Sequence, residues 1–215
     1  MSKQLTPAQL RRLPSYIEVL SQLKKRGVAF VNANQVADEL GYNCEKVRKD
    51  IQAISTTSGV PNRGRKIDDL INDIEGVLGA SENHNAILIG CGSLGKALLK
   101  YAGFKHYGLK IVAAFDQNKE LIGKEINGIK VYDFDDLRDI KRNLNACIGI
   151  ICVPKEYAQS VAYRLVACGI EAIWNFAPIK LDINDDVIVS NMDMAQSLAT
   201  LAHHLFIKKN KQGEK

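Results

Sequence analysis

Long apolar runs are missing from this sequence. Nothing approaches the ~20 residues that a membrane span requires, so a membrane-spanning helical protein is excluded. The opening stretch, MSKQLTPAQLRRLPSY, lacks the apolar h-region of a signal peptide, and the expected localisation is cytoplasmic. Cysteine is sparse and unpaired in pattern. The five cysteines, Cys44, Cys91, Cys147, Cys152 and Cys168, are an odd number without a CxxC pair. This argues against a disulfide framework and against a zinc knuckle. Histidine occurs only at 84, 106, 203 and 204. His203 and His204 are neighbours on a helical stretch and point in different directions, so no metal site is expected. Repeats and low-complexity tracts are absent. What remains is 46% apolar and 25% charged over 215 residues, an ordinary globular composition with room for one large domain or two small ones.

Charge is unevenly held. Residues 1–67 carry 12 Lys/Arg against 5 Asp/Glu, and residues 68–215 carry 17 against 19. The first third therefore stands at +7 and the remainder at −2, within a net +5. A localised positive field suits a polyanion. A solvated lysine-rich surface has the same composition.

Leu13, Ile17, Leu20 and Leu23 form a helical stripe that stops at Gly27. A second short helix, capped by Asn32 or Asn34, turns Val36, Ala37 and Leu40 inward and closes at Gly41. Asn43 caps a third, with Val47, Ile51 and Ile54 inward and Lys46, Arg48, Lys49 and Gln52 outward. Two short helices joined by Gly41-Tyr42-Asn43 fit a helix-turn-helix. The basic, turn-forming SGVPNRGRK of 58–66 takes the place of a wing, and 68–79 read as a linking helix. The residues assigned to DNA are Asn43, Lys46, Arg48, Lys49, Gln52, Arg63 and Arg65.

From Asn85 the texture changes. AILIG (86–90) is a fully apolar run, as a buried parallel strand is. A helix over 94–102, strands over 110–116, 128–134 and 146–153, a helix over 155–168, and strands over 171–176 and 186–190 follow, which indicates a doubly wound sheet. The last element, 192–209, carries Met194, Leu198, Leu201 and Leu205 on one stripe. The domains expected are 1–80, 81–191 and 192–215.

Gly90-Cys91-Gly92-Ser93-Leu94-Gly95 directly follows the buried strand and opens a helix, the context that a GxGxxG nucleotide loop needs. Gly90 permits the turn, Gly92 lets backbone approach a pyrophosphate, Gly95 lets helix and strand pack, and the helix N-terminus faces the phosphates. Asp116 ends the next strand, where a carboxylate accepts from adenosine ribose hydroxyls. Its sequence neighbours, Phe115, Gln117 and Asn118, offer no cation for a 2′-phosphate. A purely structural glycine turn would look the same. Cys91 is either a thiol activated by the helix N-terminus or a small residue filling the loop.

RRLPSYIEVL, VRKDI, GCGSLGKALLKYAGF, AAFD, Val153-Pro154, the NFAP segment and the NMD of 191–193 together resemble the Rex family of redox-sensing transcriptional repressors, from about Leu5 to Leu205. The resemblance implies a homodimer of chains with an N-terminal winged helix, a C-terminal Rossmann domain and an exchanged last helix. It implies binding to inverted-repeat operator DNA when NADH is scarce and release when NADH binds, with NAD+ the weaker competitor. The nucleotide positions carried over are Gly90, Cys91, Gly92, Ser93, Leu94, Gly95 and Asp116, with Val153 and Pro154 near the nicotinamide. Tyr101 and Phe104 match a YxxF, and Tyr101 with Asp193 matches a pair that couples cofactor to DNA. The sequence departs from the family in three places. Arg63-Gly64-Arg65-Lys66-Ile67 stands for a wing close to RGxGY. Ala53-Ile54-Ser55-Thr56 stands where aromatics and glycine are usual, and Glu18 replaces a coupling arginine.

Two alternatives stay open on the sequence. A dehydrogenase would need an acid or base beside the nicotinamide and a second substrate's cavity, yet no histidine ends a Rossmann strand and no chain is left for a substrate domain. A DNA-binding protein blind to nucleotide is the other.

Overall fold

Capping decides the first three turns of structure. Thr6 and Gln9 exchange side-chain and backbone hydrogen bonds at the start of α1 (Pro7–Leu10), and Asn32 and Gln35 do the same at α3 (Ala33–Leu40). Between them lie α2 (Leu13–Lys25) and the two-residue strand β1 (Phe30–Val31). Gly41, left-handed at φ 64°, ends α3, and the Asn43 side chain accepts from the Lys46 N–H to start α4 (Cys44–Ile54). The structure, a computed structural model, describes residues 5–61, 63–80, 82 and 84–213.

The chain divides into two compact units, one of 1–83 with 106–108 and one of 84–105 with 109–215. In the first, β2 (Arg65–Lys66) pairs antiparallel with β1, Val31 opposite Arg65, and α5 (Ile67–Val77) follows. Gly64 has φ 88°, and a Cβ there would lie 2.2 Å from the Val31 carbonyl oxygen, so this wing closes only over glycine. Leu13, Ile17, Leu20 and Leu23 are all buried, packed with Val36, Val47, Ile51, Ile54, Ile67, Leu70 and Ile74. This unit is a winged helix-turn-helix.

The second unit is a seven-stranded sheet ordered β5-β6-β4-β3-β7-β8-β9. Its strands are β3 (His84–Ile89), β4 (Leu109–Asp116), β5 (Glu125–Ile126), β6 (Ile129–Asp133), β7 (Ala146–Ile151), β8 (Ala172–Asn175) and β9 (Ile188–Asn191). All pairings are parallel except the short β5–β6 hairpin. Helices α6 (Ser93–Lys100), α7 (Leu137–Leu144) and α8 (Lys155–Ala167) connect the strands, and α9 (Met194–Gly213) ends the unit. Apolar clusters cover both faces: Ile87, Phe115, Ile151, Val161 and Leu165 on one, Leu88, Ala114, Val131 and Ile150 on the other. Strand order reverses at β3, with β4 on one side and β7 on the other, which opens a crevice at the strands' carboxyl ends. No described helix is long and apolar enough to cross a membrane.

Candidate nucleotide site and nucleic-acid interface

Each glycine of the loop has its own geometry. Gly90, at φ 97°, would place a Cβ 2.7 Å from the Cys152 carbonyl oxygen, so the turn out of β3 presses on the end of β7. A Cβ on Gly95 would lie 2.0 Å from the Gly90 carbonyl oxygen, which is the close packing of α6 on the strand. Gly92 caps α6, and a Cβ there would meet nothing within 4 Å. The open side of the loop is therefore at Gly92, where the free N–H groups of the helix start gather. Ser93 and Leu94 occupy the first two helical positions.

Asp116 ends β4 and is bound to this loop. Its Oδ2 accepts the Cys91 N–H at 2.6 Å and its Oδ1 the Asn118 N–H at 2.8 Å. The carboxylate is thereby fixed at the mouth of a cleft of about 410 Å³, lined by Gly90, Gly92, Asp116, Val153, Pro154 and residues of α8. Four of the expected nucleotide residues besides Gly90 thus meet in one cavity. Sequence reading missed the α8 wall. Tyr157, Ser160, Val161 and Arg164 line the cleft, and their spacing on α8 was the available signal. Arg164 lies 4.0 Å above the Phe134 ring and donates to Asp135 and to the Phe134 carbonyl, so a cation absent from the sequence around Asp116 reaches its cleft from another element.

The thiol of Cys91 is not activated. Burial pushes its pKa up to about 12, and the Asp116 charge adds to the shift while Lys96 opposes it. The side chain packs among Ala86, Leu88 and Leu99, so Cys91 fills the underside of the loop and only its backbone faces Asp116. Burial likewise raises Cys152 to about 12. Tyr101 is apart from this cleft. It ends α6, packs edge-on against Phe104 at 4.9 Å, and lines a separate hollow with Lys105 and Asn127. Asp193 accepts the Gln196 N–H at the start of α9 and lines a third groove with Ala177 and Asn191. Within one chain the two residues expected to couple cofactor to DNA occupy different hollows. Among the described residues no His, Cys, Asp and Glu cluster is placed to hold a metal.

In the first unit Lys46, Arg48, Lys49 and Gln52 are all exposed on α4. Arg48 pairs with Glu45 at 2.7 Å, and the Asn43 side chain caps the helix through its Oδ1. On the wing, Arg63 lies 4.8 Å over the Phe30 ring, and Arg65 is half-buried with its guanidinium donating to the Thr57 carbonyl. Arg48, Gln52, Asn32 and Arg65 line a shared hollow between helix and wing. The departure at 53–56 has its own anchor, Thr56 donating from backbone and hydroxyl to Asp73.

One residue of α4 breaks the outward-polar rule. Asp50 is 2% exposed, held by Arg12 through two hydrogen bonds of 2.7 and 3.0 Å and by the Tyr16 hydroxyl at 2.7 Å. Burial alone would raise its pKa, but the hydrogen bonds from Arg12 and Tyr16 outweigh it and hold the carboxyl below its ordinary 3.8. Burial, and then the carboxylate, push the Tyr16 phenol up. The acid therefore ties α4 to the start of α2.

Residues 81–179 match the family model described as CoA binding domain, and residues 5–51 match that of a putative DNA-binding protein N-terminus. The redox-sensing transcriptional repressor Rex of Bacteroides thetaiotaomicron is 39% identical over 196 residues, 91% of this chain and 89% of that protein. The chain belongs to the Rex family. Solved structures of the Rex-family repressor RSP agree in fold over nearly the whole length. RSP with β-NADH is 33% identical at a TM-score of 0.84, covering 98% of this chain and 99% of that one. RSP with β-NAD+ and operator DNA is 34% identical at a TM-score of 0.86, covering 99% of each. The Rex relatives are transcriptional repressors.

Proposed function

We propose that this protein is a redox-sensing transcriptional repressor that binds inverted-repeat operator DNA when NADH is low and is released when NADH binds. One observation carries the reading: a glycine loop locked to an acidic strand end stands in the same short chain as a basic winged helix. The residues present fit NAD(H). Gly92 leaves open space over a helix N-terminus, Asp116 sits where ribose hydroxyls need an acceptor, and the cleft between them is walled by Val153, Pro154 and Phe134. Gly90, Cys91 through its backbone, Gly92, Ser93, Leu94 and Gly95 hold the pyrophosphate, and the Asp116 charge disfavours a 2′-phosphate. The nicotinamide supplies the redox state that is read.

DNA contact belongs to 1–80, nucleotide to 81–191, and dimer formation to 192–215. Leu198, Leu201, Leu205 and Phe206 on α9 are 67%, 63%, 51% and 62% exposed in the single chain. The Met194 side chain, first of that stripe, lies outside the described residues. An apolar helix face this open is covered by a second copy in a two-fold dimer, which matches a palindromic site. Tyr101 and Asp193, in different hollows of one chain, are the pair that would couple cofactor to DNA in that dimer.

The test is an anisotropy titration of an inverted-repeat duplex at fixed protein with rising NADH, repeated with NAD+. Release by NADH at concentrations where NAD+ leaves the complex intact supports the reading. Tight NADH binding with no loss of DNA affinity replaces the switch with a constitutive DNA-binding protein.

A further inference from the structure

The carboxyl ends of the central strands form a single register row: Phe115 beside Ile89, Ile89 beside Ile151, Ile151 beside Asn175, Asn175 beside Asn191. Backbone hydrogen bonds carry the row one residue further, from Gly90 to Phe115, Cys152 to Ile89, Phe176 to Ile151 and Met192 to Asn175. The nucleotide cleft stands over the Gly90 and Cys152 end of this row. At the other end α9 begins, three residues after Asn191.

Three members of the row are buried and apolar. Asn175 is buried and polar, at 0% exposure, and among the described residues it shares that class only with Asp50. The β8 pairings are made by backbone and would be satisfied by Val or Ile, so the sheet does not require an amide here. The amide serves what lies beyond the strand. Its Oδ1 accepts the Ala177 N–H at 3.0 Å, and its Nδ2 faces Asn191 Oδ1 at 2.8 Å, the Ile179 carbonyl at 2.9 Å and the Ala177 carbonyl at 3.1 Å. Two N–H bonds are shared among three acceptors. If Asn191 withdraws, both donors keep a partner, and the usual penalty for a stranded buried donor does not arise. Held and released arrangements of Asn191 are therefore close in energy, which is the property a small bias can exploit. Asn191 is exposed and stands two residues before Asp193, the residue that accepts the Gln196 N–H in the first turn of α9.

We infer that Asn175 is a positioning residue that links the nucleotide cleft to the root of α9 by holding or releasing Asn191. The inference rests on the NADH-responsive reading above and adds to it the element within the chain that carries the response.

Asn175→Ala strands buried groups and can unfold the domain, so the decisive variants are at the exposed partner. Asn191→Ala removes the acceptor; Asn191→Asp keeps one. For wild type and both variants, NADH affinity, duplex affinity without NADH, duplex affinity with saturating NADH, and Tm are measured. Wild type gives a NADH-dependent ratio within the roughly 5–150-fold range of such coupling. Asn191→Ala is expected to leave Tm, NADH affinity and duplex affinity without NADH within about twofold while duplex affinity with NADH rises until the ratio collapses toward one, and Asn191→Asp to retain the ratio. A merely structural role would lower Tm and leave the ratio in place. Wild-type coupling in Asn191→Ala, or equal loss in Asn191→Asp, overturns the inference alone. A wild type that binds NADH without any ratio overturns the functional reading and the inference with it.

Discussion

A methyl group separates the roles of the loop glycines. On Gly95 it meets a carbonyl oxygen at 2.0 Å, and Gly95→Ala is expected to cost about 3 kcal/mol or more as the helix is forced off the strand. On Gly92 it meets nothing and φ is −67°, so Gly92→Ala should fold with unchanged Tm yet lose NADH by tenfold or so, because the methyl occupies the pyrophosphate's approach. Thermal melts paired with NADH titration decide this; equal NADH affinity in a stable Gly92→Ala moves the pyrophosphate elsewhere. Asp50 sets the pH response of the winged helix. Its folded pKa lies below the ordinary 3.8, so its contribution is complete above that value and fades as pH falls through the folded one. Asp50→Asn should cost about 2–3 kcal/mol, less than the roughly 3–5 of a wholly buried pair because the Arg12 side chain is a quarter exposed, and it should remove the acid-limb loss. An unchanged acid melt would assign that limb to other carboxylates. The glycines and Asp116 were legible because their order in the chain is their order in space. Asp50 was not: on a helix with exposed Lys46, Arg48 and Lys49 an acid reads as one more solvated charge, and its partner Arg12 is 38 residues away.

Among the elements, the longer helices with apolar stripes and the buried strands were legible, and short pieces, the capped four-residue α1 among them, were not. β1, β2 and β5 are two residues each, too short to show an alternating pattern. α7 escaped notice although Leu137, Ile140 and Leu144 have helical spacing, because charge dominates LRDIKRNL. α4 matches its sequence pattern in its Asn43 cap and in its exposed face. Asn43 accepts the Lys46 N–H, so Asn43→Ala should destabilise the first unit by about 1 kcal/mol and reach DNA affinity only through that loss. Lys49→Ala should instead leave Tm alone, weaken binding to every duplex sequence and reduce the salt slope by roughly 1. A Lys49→Ala protein with the wild-type slope takes this lysine off the phosphates. For α9, truncation after Asp193 keeps β9 intact while removing the exposed leucines. Sedimentation should then show a monomer that folds and binds NADH but holds a palindromic duplex far more weakly. A truncated chain that is still dimeric would place the interface elsewhere.

At the scale of the molecule, the charge split and the nucleotide cleft impose a thermodynamic constraint. In the proposed function the basic third binds a polyanion and the remainder a dinucleotide, and the two bindings are coupled through conformation. If NADH lowers operator affinity by some factor, operator DNA must lower NADH affinity by the same factor, roughly 5–150-fold for couplings of this kind. Glu18, exposed on α2 at the position where the family resemblance implies a coupling arginine, argues for the lower end of that range. Salt separates the two ligands further. Operator affinity falls steeply with ionic strength as counterions return to the phosphates. NADH, held largely by backbone N–H groups and one carboxylate, follows much more weakly. The coupling factor compares DNA affinities of one protein with and without NADH, and it changes with salt only through the phosphates that NADH causes the protein to release. The prediction is that NADH titrated into protein saturated with an inverted-repeat duplex binds more weakly than into free protein, by the factor that anisotropy gives for the reverse experiment at the same salt. The difference between the slopes of operator affinity against salt, with and without NADH, then measures how many phosphates are freed. Equal slopes mean that NADH acts on the base-reading fit of the two α4 helices; a shallower slope with NADH means that whole half-sites disengage. Unequal factors in the two directions at one salt are incompatible with a single dimer binding both ligands.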